Sequence, residues 1–141
     1  MSTHEVVAGF MWIYSVLSID ATLLASAPGG VYRSLAPPIT ASPYVIMAHQ
    51  SGMDVVTINA FRLMDNLLYQ VKAVGPSSQM VAIAAAAARI DQLLGLASGT
   101  VTGGYIGSCY REQPIFVDES PINGEQYTNV GGLYRLQIKQ M

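Results

Sequence analysis

The order helix, strands, helix, strands predicts an α+β protein, a mostly antiparallel sheet with an N-terminal helix and an alanine-rich helix packed on it. Three stretches carry that prediction. "MVAIAAAAARIDQLL" repeats Met80, Ile83, Ala84, Ala87, Ile90 and Leu94 at three- and four-residue steps, one stripe of a helix. "NLLYQVKAV" alternates Leu67, Tyr69, Val71 and Ala73 against Gln70 and Lys72, the period of a half-buried strand. In "GGLYRLQIKQ" Tyr134, Leu136 and Ile138 face one way and Arg135, Gln137 and Lys139 the other.

The elements follow in order. Ser2 and Glu5 form a capping box, with Val6, Phe10, Ile13 and Leu17 as a stripe behind it. "FMWIYSVL" before "ASAPGG" imitates a signal peptide, but "MSTHE" holds no Lys or Arg and Asp20 interrupts the apolar run. The segment is therefore read as a retained amphipathic helix. Asp20 caps a further turn, "ATLLASA", which "PGG" ends. "GVYRS" reads as an edge strand, and the prolines of "LAPPITASP" bar helix from the connector. "YVIMAHQ" is apolar on both faces, as in a buried central strand; "SGMD" reads as a turn and "VVTIN" as a returning strand. The alanine helix starts after Pro76, with Ser77 or Ser78 as cap, and stops at a left-handed Gly95. Its Ala84–Ala87 surface, lacking bulk, is expected to lie close against the sheet. "GGYIGSCYRE", "PIFVDE" and "YTNVGGLYRLQIKQ" are three β runs, and Asn123-Gly124 marks a hairpin between the last two. No repeat or boundary divides residues 1–141, so a single domain is expected.

Charge narrows the function classes. Charged residues make up 11% of the chain and hydrophobic ones 51%, whereas globular chains carry roughly 25% charge. A spanning helix needs about 20 apolar residues, and the alanine run meets Arg89 and Asp91 too early. A chain with so little charge to expose is expected to have its surface covered by other subunits; solubilisation of a monomer by Ser, Thr, Gln and Asn is the alternative. A net charge of −2 advertises no nucleic-acid surface. Cys109, the only cysteine, can form no internal disulfide, as in a reducing compartment.

Chemistry is hard to find. His4 and His49 are the only histidines, and no His, Cys or carboxylate pair has metal-ligand spacing. His49, Ser51 and Asp54 lack a nucleophile elbow, so a strand-end histidine beside a turn is the plainer reading. Cys109 reads as a buried structural thiol. The glycines of "SGTVTGGYIG" precede a strand and no Lys-Ser/Thr follows them, so they form no phosphate loop. Asp118, Glu119 and Glu125 cluster around the hairpin as a solvated loop. Eight tyrosines supply contact area with a polar tip, suited to an interface or a core. No catalytic residue, metal ligand or cofactor is assigned.

From Pro43 onward the chain resembles a known family. Pro43-Tyr44 opening a strand, "YQVKAVG" leading to an Ala-rich helix with "RIDQLL", and the closing "GGLYRL" strand are similar to the tail-completion, or tail-terminator, proteins of long-tailed bacteriophages. The likeness covers about two thirds of the chain strongly and the N-terminal part loosely. It implies a virion protein, assembled in the host cytoplasm, forming a homohexameric ring at the head-proximal end of the tail tube. There it ends tube polymerisation and joins the tail to the head's connector, with DNA passing through the lumen. Its implied partners are its own copies, the tail tube protein and the head-completion protein, with no cofactor and no membrane. The expected contact residues are Phe61, Leu63 and Met64 in "VVTINAFRLM", and Asp118, Glu119, Ile122, Asn123 and Glu125 in the acidic hairpin. Competing readings are another neck ring, an intracellular small-molecule-binding protein or enzyme, and an adaptor that binds a peptide at a sheet edge.

Overall fold

A computed structural model describes residues 4–56, 62–101, 104–119 and 125–140. The chain is α+β. Helix α1 (Glu5–Leu17) and the short α2 (Ala21–Ser26) precede strands β1 (Val31–Arg33), β2 (Tyr44–Val56) and β3 (Arg62–Pro76). A 3-10 turn at Ser77–Gln79 leads into α3 (Met80–Leu94), followed by β4 (Gly99–Val101), β5 (Gly104–Asp118) and β6 (Tyr127–Gln140). All the strands join one six-stranded sheet in the order β1-β2-β3-β6-β5-β4. Every pairing is antiparallel except the edge pair β1 and β2.

The alternation read in β3 and β6 becomes one packed face. Tyr69 pairs with Tyr134 and Leu67 with Leu136, so these side chains project together, with Val71 opposite Gly132 on the same face. Leu67, Tyr69, Val71, Ala73, Tyr134, Leu136 and Ile138 are buried there beneath Ile13, Leu17, Ile83, Ile90 and Leu94 of α1 and α3. Burying such side chains contributes roughly 1.5–3 kcal/mol each. Leu23 seats α2 in the same core. Asp20 caps α2 as expected, accepting the Leu23 amide at 2.8 Å. The same carboxylate takes a two-pronged contact from Arg89 of α3, at 2.9 and 2.8 Å.

Several local expectations change. "SGMD" is no turn: β2 runs through it, with a register shift between His49 and Ser51. Partners supplied by Leu67 and Asn66 across the ladder override the turn preference of Ser, Gly and Asp. β2 and β3 thus form one long hairpin, whose tip falls in residues 57–61, outside the described residues along with most of "VVTIN". "GGYIGSCYRE" and "PIFVDE" are likewise one strand, shifted in register between Arg111 and Gln113. Pro114 is tolerated because β4 covers only Gly104–Ile106, leaving the rest of β5 on an open edge. β2 is second from the edge rather than central, although Val45, Ile46 and Met47 are buried as expected. The α1 cap is His4, whose Nδ1 accepts the Val6 amide at 3.3 Å; Ser2 lies outside the described residues. Ser77 bonds Thr128 at 2.7 Å instead of capping α3. Gly95 is extended, and the left-handed residue is Leu96, with φ of 61°.

The buried side of α3 is also turned. Ile83, Ala86, Ile90 and Leu94 are fully buried, while Ala84 is exposed and Ala87 half-buried. Alanines alone do not orient a helix. The bulky Ile83, Ile90 and Leu94 set its face, and α2 covers the flank carrying Arg89, which leaves Ala84 outward.

Candidate interaction surfaces

The expected contact residues divide between the two ends of the sheet. Met64, half-buried, lies near the β2–β3 tip, where the neighbouring Asp65 pairs with Ile138 late in β6. Asp118 pairs with Thr128 at the start of β6, at the opposite end. Leu63 belongs to β3, whereas Phe61, Ile122 and Asn123 lie outside the described residues. Asp118, Glu119 and Glu125 are exposed on either side of residues 120–124, and the Glu119 amide donates to the Tyr127 carbonyl. Asp118 accepts the Thr128 hydroxyl at 2.7 Å, and Glu119 accepts the Asn129 amide at 2.9 Å. Those bonds brace the strand ends, so the acidic group is part of the hairpin's own architecture as well as its surface.

Two apolar grooves, neither foreseen, flank the helix-bearing face at opposite sheet edges. The first, a hollow of about 420 Å³, lies between α1 and the β1 edge, lined by Val7, Met11 and Tyr14 with Tyr32, Leu35 and Met47. Tyr14 is 49% exposed and Leu35 82%. Arg33 also lines it, its guanidinium 5.8 Å from the centre of the Phe10 ring. The second, about 570 Å³, lies between the outward alanines of α3 (Ala84, Ala87, Ala88) and the open β5 edge at Pro114, Ile115 and Phe116, and is also lined by Asp91 and Arg111, 3.7 Å apart. Phe116 is 60% exposed. A sequence signal for the first was present, since a helix stripe can bury only one side and Val7, Met11 and Tyr14 fall outside it; the second was hidden because the sequence spacing puts Ala84 and Ala87 in the buried stripe.

The residues weighed for catalysis do not assemble. His49, Ser51 and Asp54 all lie on β2. At about 3.3 Å per residue, five steps of strand put His49 and Asp54 on the order of 16 Å apart. His49 meets Tyr69 edge-on instead, with ring centres 5.4 Å apart. Cys109 is fully buried, and burial, helped by nearby Asp91, pushes its thiol up to about 12. A thiol so held is no nucleophile near neutrality. Tyr134 donates to Asp91 at 3.2 Å, and burial raises its phenol out of the usual range.

One cluster was missed. Glu5 of α1, Asp54 of β2 and Asp65 of β3 each place a carboxylate oxygen within 4.8 Å of the others. Asp54 and Asp65 are direct cross-strand partners. Asp65 is fully buried, and all three residues are engaged in interactions. Carboxylates of this kind are the donors that hard cations prefer. No sequence spacing reveals the group, because the strand pairing and the docking of α1 create it.

Among the described residues no helix is long and apolar enough to cross a membrane. No protein-family model and no curated protein matches the chain. Its fold is found in solved structures: one match, described as "Virion of native gene transfer agent (GTA) particle", has a TM-score of 0.73 at 16% identity. It covers 90% of this chain and 91% of that one, so the two chains share a fold over nearly their whole length.

Proposed function

We propose that this chain is a structural virion protein, a single domain whose copies form a hexameric ring at the head-proximal end of a phage-type tail tube. The ring ends tube polymerisation and joins tail to head. The observation that carries the reading is the near-complete fold likeness to a chain of a gene transfer agent virion; fold alone does not name a function. Two features support it. The chain has 11% charged residues and leaves apolar grooves at both sheet edges, as suits a subunit with neighbours on either side. The end of β3 at Met64 and the end of β5 at Asp118 lie at opposite ends of the sheet, which supports separate contacts with a tube and a connector.

In this reading Phe61, Leu63 and Met64, with Asp118, Glu119, Ile122, Asn123 and Glu125, are contact residues of the assembled ring. The chain acts by assembly, not by catalysis. Its seven Lys and Arg residues leave a lumen that does not hold DNA phosphates by counterion release.

The test is a loss of function. Phe61→Ser with Leu63→Ser is expected to leave a folded subunit, while particles show tails of uncontrolled length unattached to heads. Normal virions from that double variant refute the contact assignment. Tails of normal length that fail to join heads point instead to another neck ring.

A further inference from the structure

We propose that the helix-free face of the sheet is the surface that meets duplex DNA, which runs along the cations Lys72, Arg135 and Lys139. This rests on the ring reading above and names the face of the subunit that lines the lumen. The alternation that buries Val71, Tyr134, Leu136 and Ile138 beneath the helices turns Lys72, Arg135, Gln137 and Lys139 to the other face. Lys72 pairs with Gly131 across the β3–β6 ladder, so the three cations stand at the levels of residues 131, 135 and 139 of β6. Four residues of strand separate these levels by about 13 Å. Tyr110 pairs with Arg135 and Tyr105 with Lys139. The two rings are 42% and 40% exposed, and tyrosine hydroxyls are among the groups that contact phosphate oxygens.

Charge is sorted between the two faces. The helix-free face holds two carboxylates, each taken up by a neighbour: Glu112 meets Arg135 at 2.8 Å, and Glu119 accepts the Asn129 amide at 2.9 Å. Lys72 and Lys139 are in no ion pair among the described residues. On the helix-bearing side Asp20, Asp91 and Asp118 add to the group of Glu5, Asp54 and Asp65, against Arg33, Arg89 and Arg111. Among the described side chains, and leaving Glu125 in the β5–β6 connection aside, acids outnumber cations on that side and cations outnumber acids on the other. A polyanion is therefore repelled by the helices and attracted by the bare sheet, a difference that the net charge of −2 hides. The attraction is slight. A duplex carries one charge per about 1.7 Å of its axis, so each step of the cation row spans about eight of them. Such a row guides a duplex without gripping it.

Fluorescence anisotropy of a labelled duplex with the full chain tests this, with sedimentation reading the oligomer in the same samples. The wild type is expected to bind at about 50 mM salt and to weaken about tenfold by about 200 mM, since two phosphate contacts give a logarithmic slope of about −1.8. Lys72→Glu with Lys139→Glu should abolish the low-salt binding. Arg33→Glu with Arg111→Glu changes the net charge equally on the helix-bearing side and should leave binding within about twofold. Equal loss in the two variants means that only net charge is read, and overturns the inference. So does a wild type that ignores the duplex at low salt. Polyglutamate of equal charge that binds more tightly than the duplex makes the partner an acidic protein and overturns it too. Should the charge reversal unfold the chain, Lys72→Gln with Lys139→Gln replaces it and should flatten the salt slope by about 1.8; an unchanged slope refutes the assignment. Wild-type rings that bind no duplex refute the face assignment alone. A monomer whose low-salt binding still needs Lys72 and Lys139 refutes the ring and leaves the DNA-facing surface standing.

Discussion

Gly9 and Tyr69 show how closely α1 lies on the sheet. The Tyr69 hydroxyl donates to the Val6 carbonyl at 2.7 Å, and a Cβ at position 9 would collide with that same hydroxyl and ring. Tyr69 is fully exposure-free, so its ring has no solvent to move into. Gly9→Ala is expected to destabilise the fold by about 1–3 kcal/mol, read by urea unfolding. Tyr69→Phe removes the nearest clashing atom, so the glycine substitution should cost less in that background. Gly131 is a harder limit, since its Cβ would meet the backbone of Val71 and Lys72. Cys109 gives a second residue-scale prediction. With its thiol pushed up to about 12 by burial, it should resist iodoacetamide at pH 8 in the folded protein and react fully in denaturant. Rapid labelling of the native chain would show that the strand opens.

At the scale of elements, α3 is fixed from two sides. Ala86 is fully buried, whereas Ala84 faces out. Ala86→Leu should therefore cost about 1–3 kcal/mol by overpacking, while Ala84→Leu should stay within about 0.5 kcal/mol; thermal unfolding compares them. The second hold is Asp20, which ties the start of α2 to Arg89. The Arg89 guanidinium, then the Leu23 amide, lower its carboxyl from 3.8 to about 2. A depressed carboxylate stabilises the fold above its unfolded value and loses that contribution as pH falls through its folded value. The contact should therefore be complete above pH 3.8 and fade toward pH 2. Asp20→Asn should flatten the acid limb of stability against pH in that window. An unchanged limb would mean that other carboxylates govern it.

Across the whole molecule, the helices cover one face of the sheet and its two edges remain open. The ring reading predicts a concentration-dependent closed oligomer, measurable by sedimentation; a monomer at every concentration would refute it. Much of the fold was legible because it is written in periods: Leu67 to Ala73 and Tyr134 to Ile138 alternate, and Ile83, Ile90 and Leu94 recur at helical steps. Asp20 was legible as a cap because that bond is local. The sequence by itself thus determined the helices, most strands, the α+β class and the shortage of charge. Tertiary structure decided the rest. It carried β2 through Ser51–Asp54, because a partner strand supplies backbone bonds that outweigh turn preference. It chose Ala86 over Ala84, because identical alanines carry no orientation until α2 covers one flank. It also drew Glu5, Asp54 and Asp65 together and placed Tyr14 and Phe116 on opposite edges, because such neighbours are made by strand order and helix docking, and no spacing along the chain encodes them.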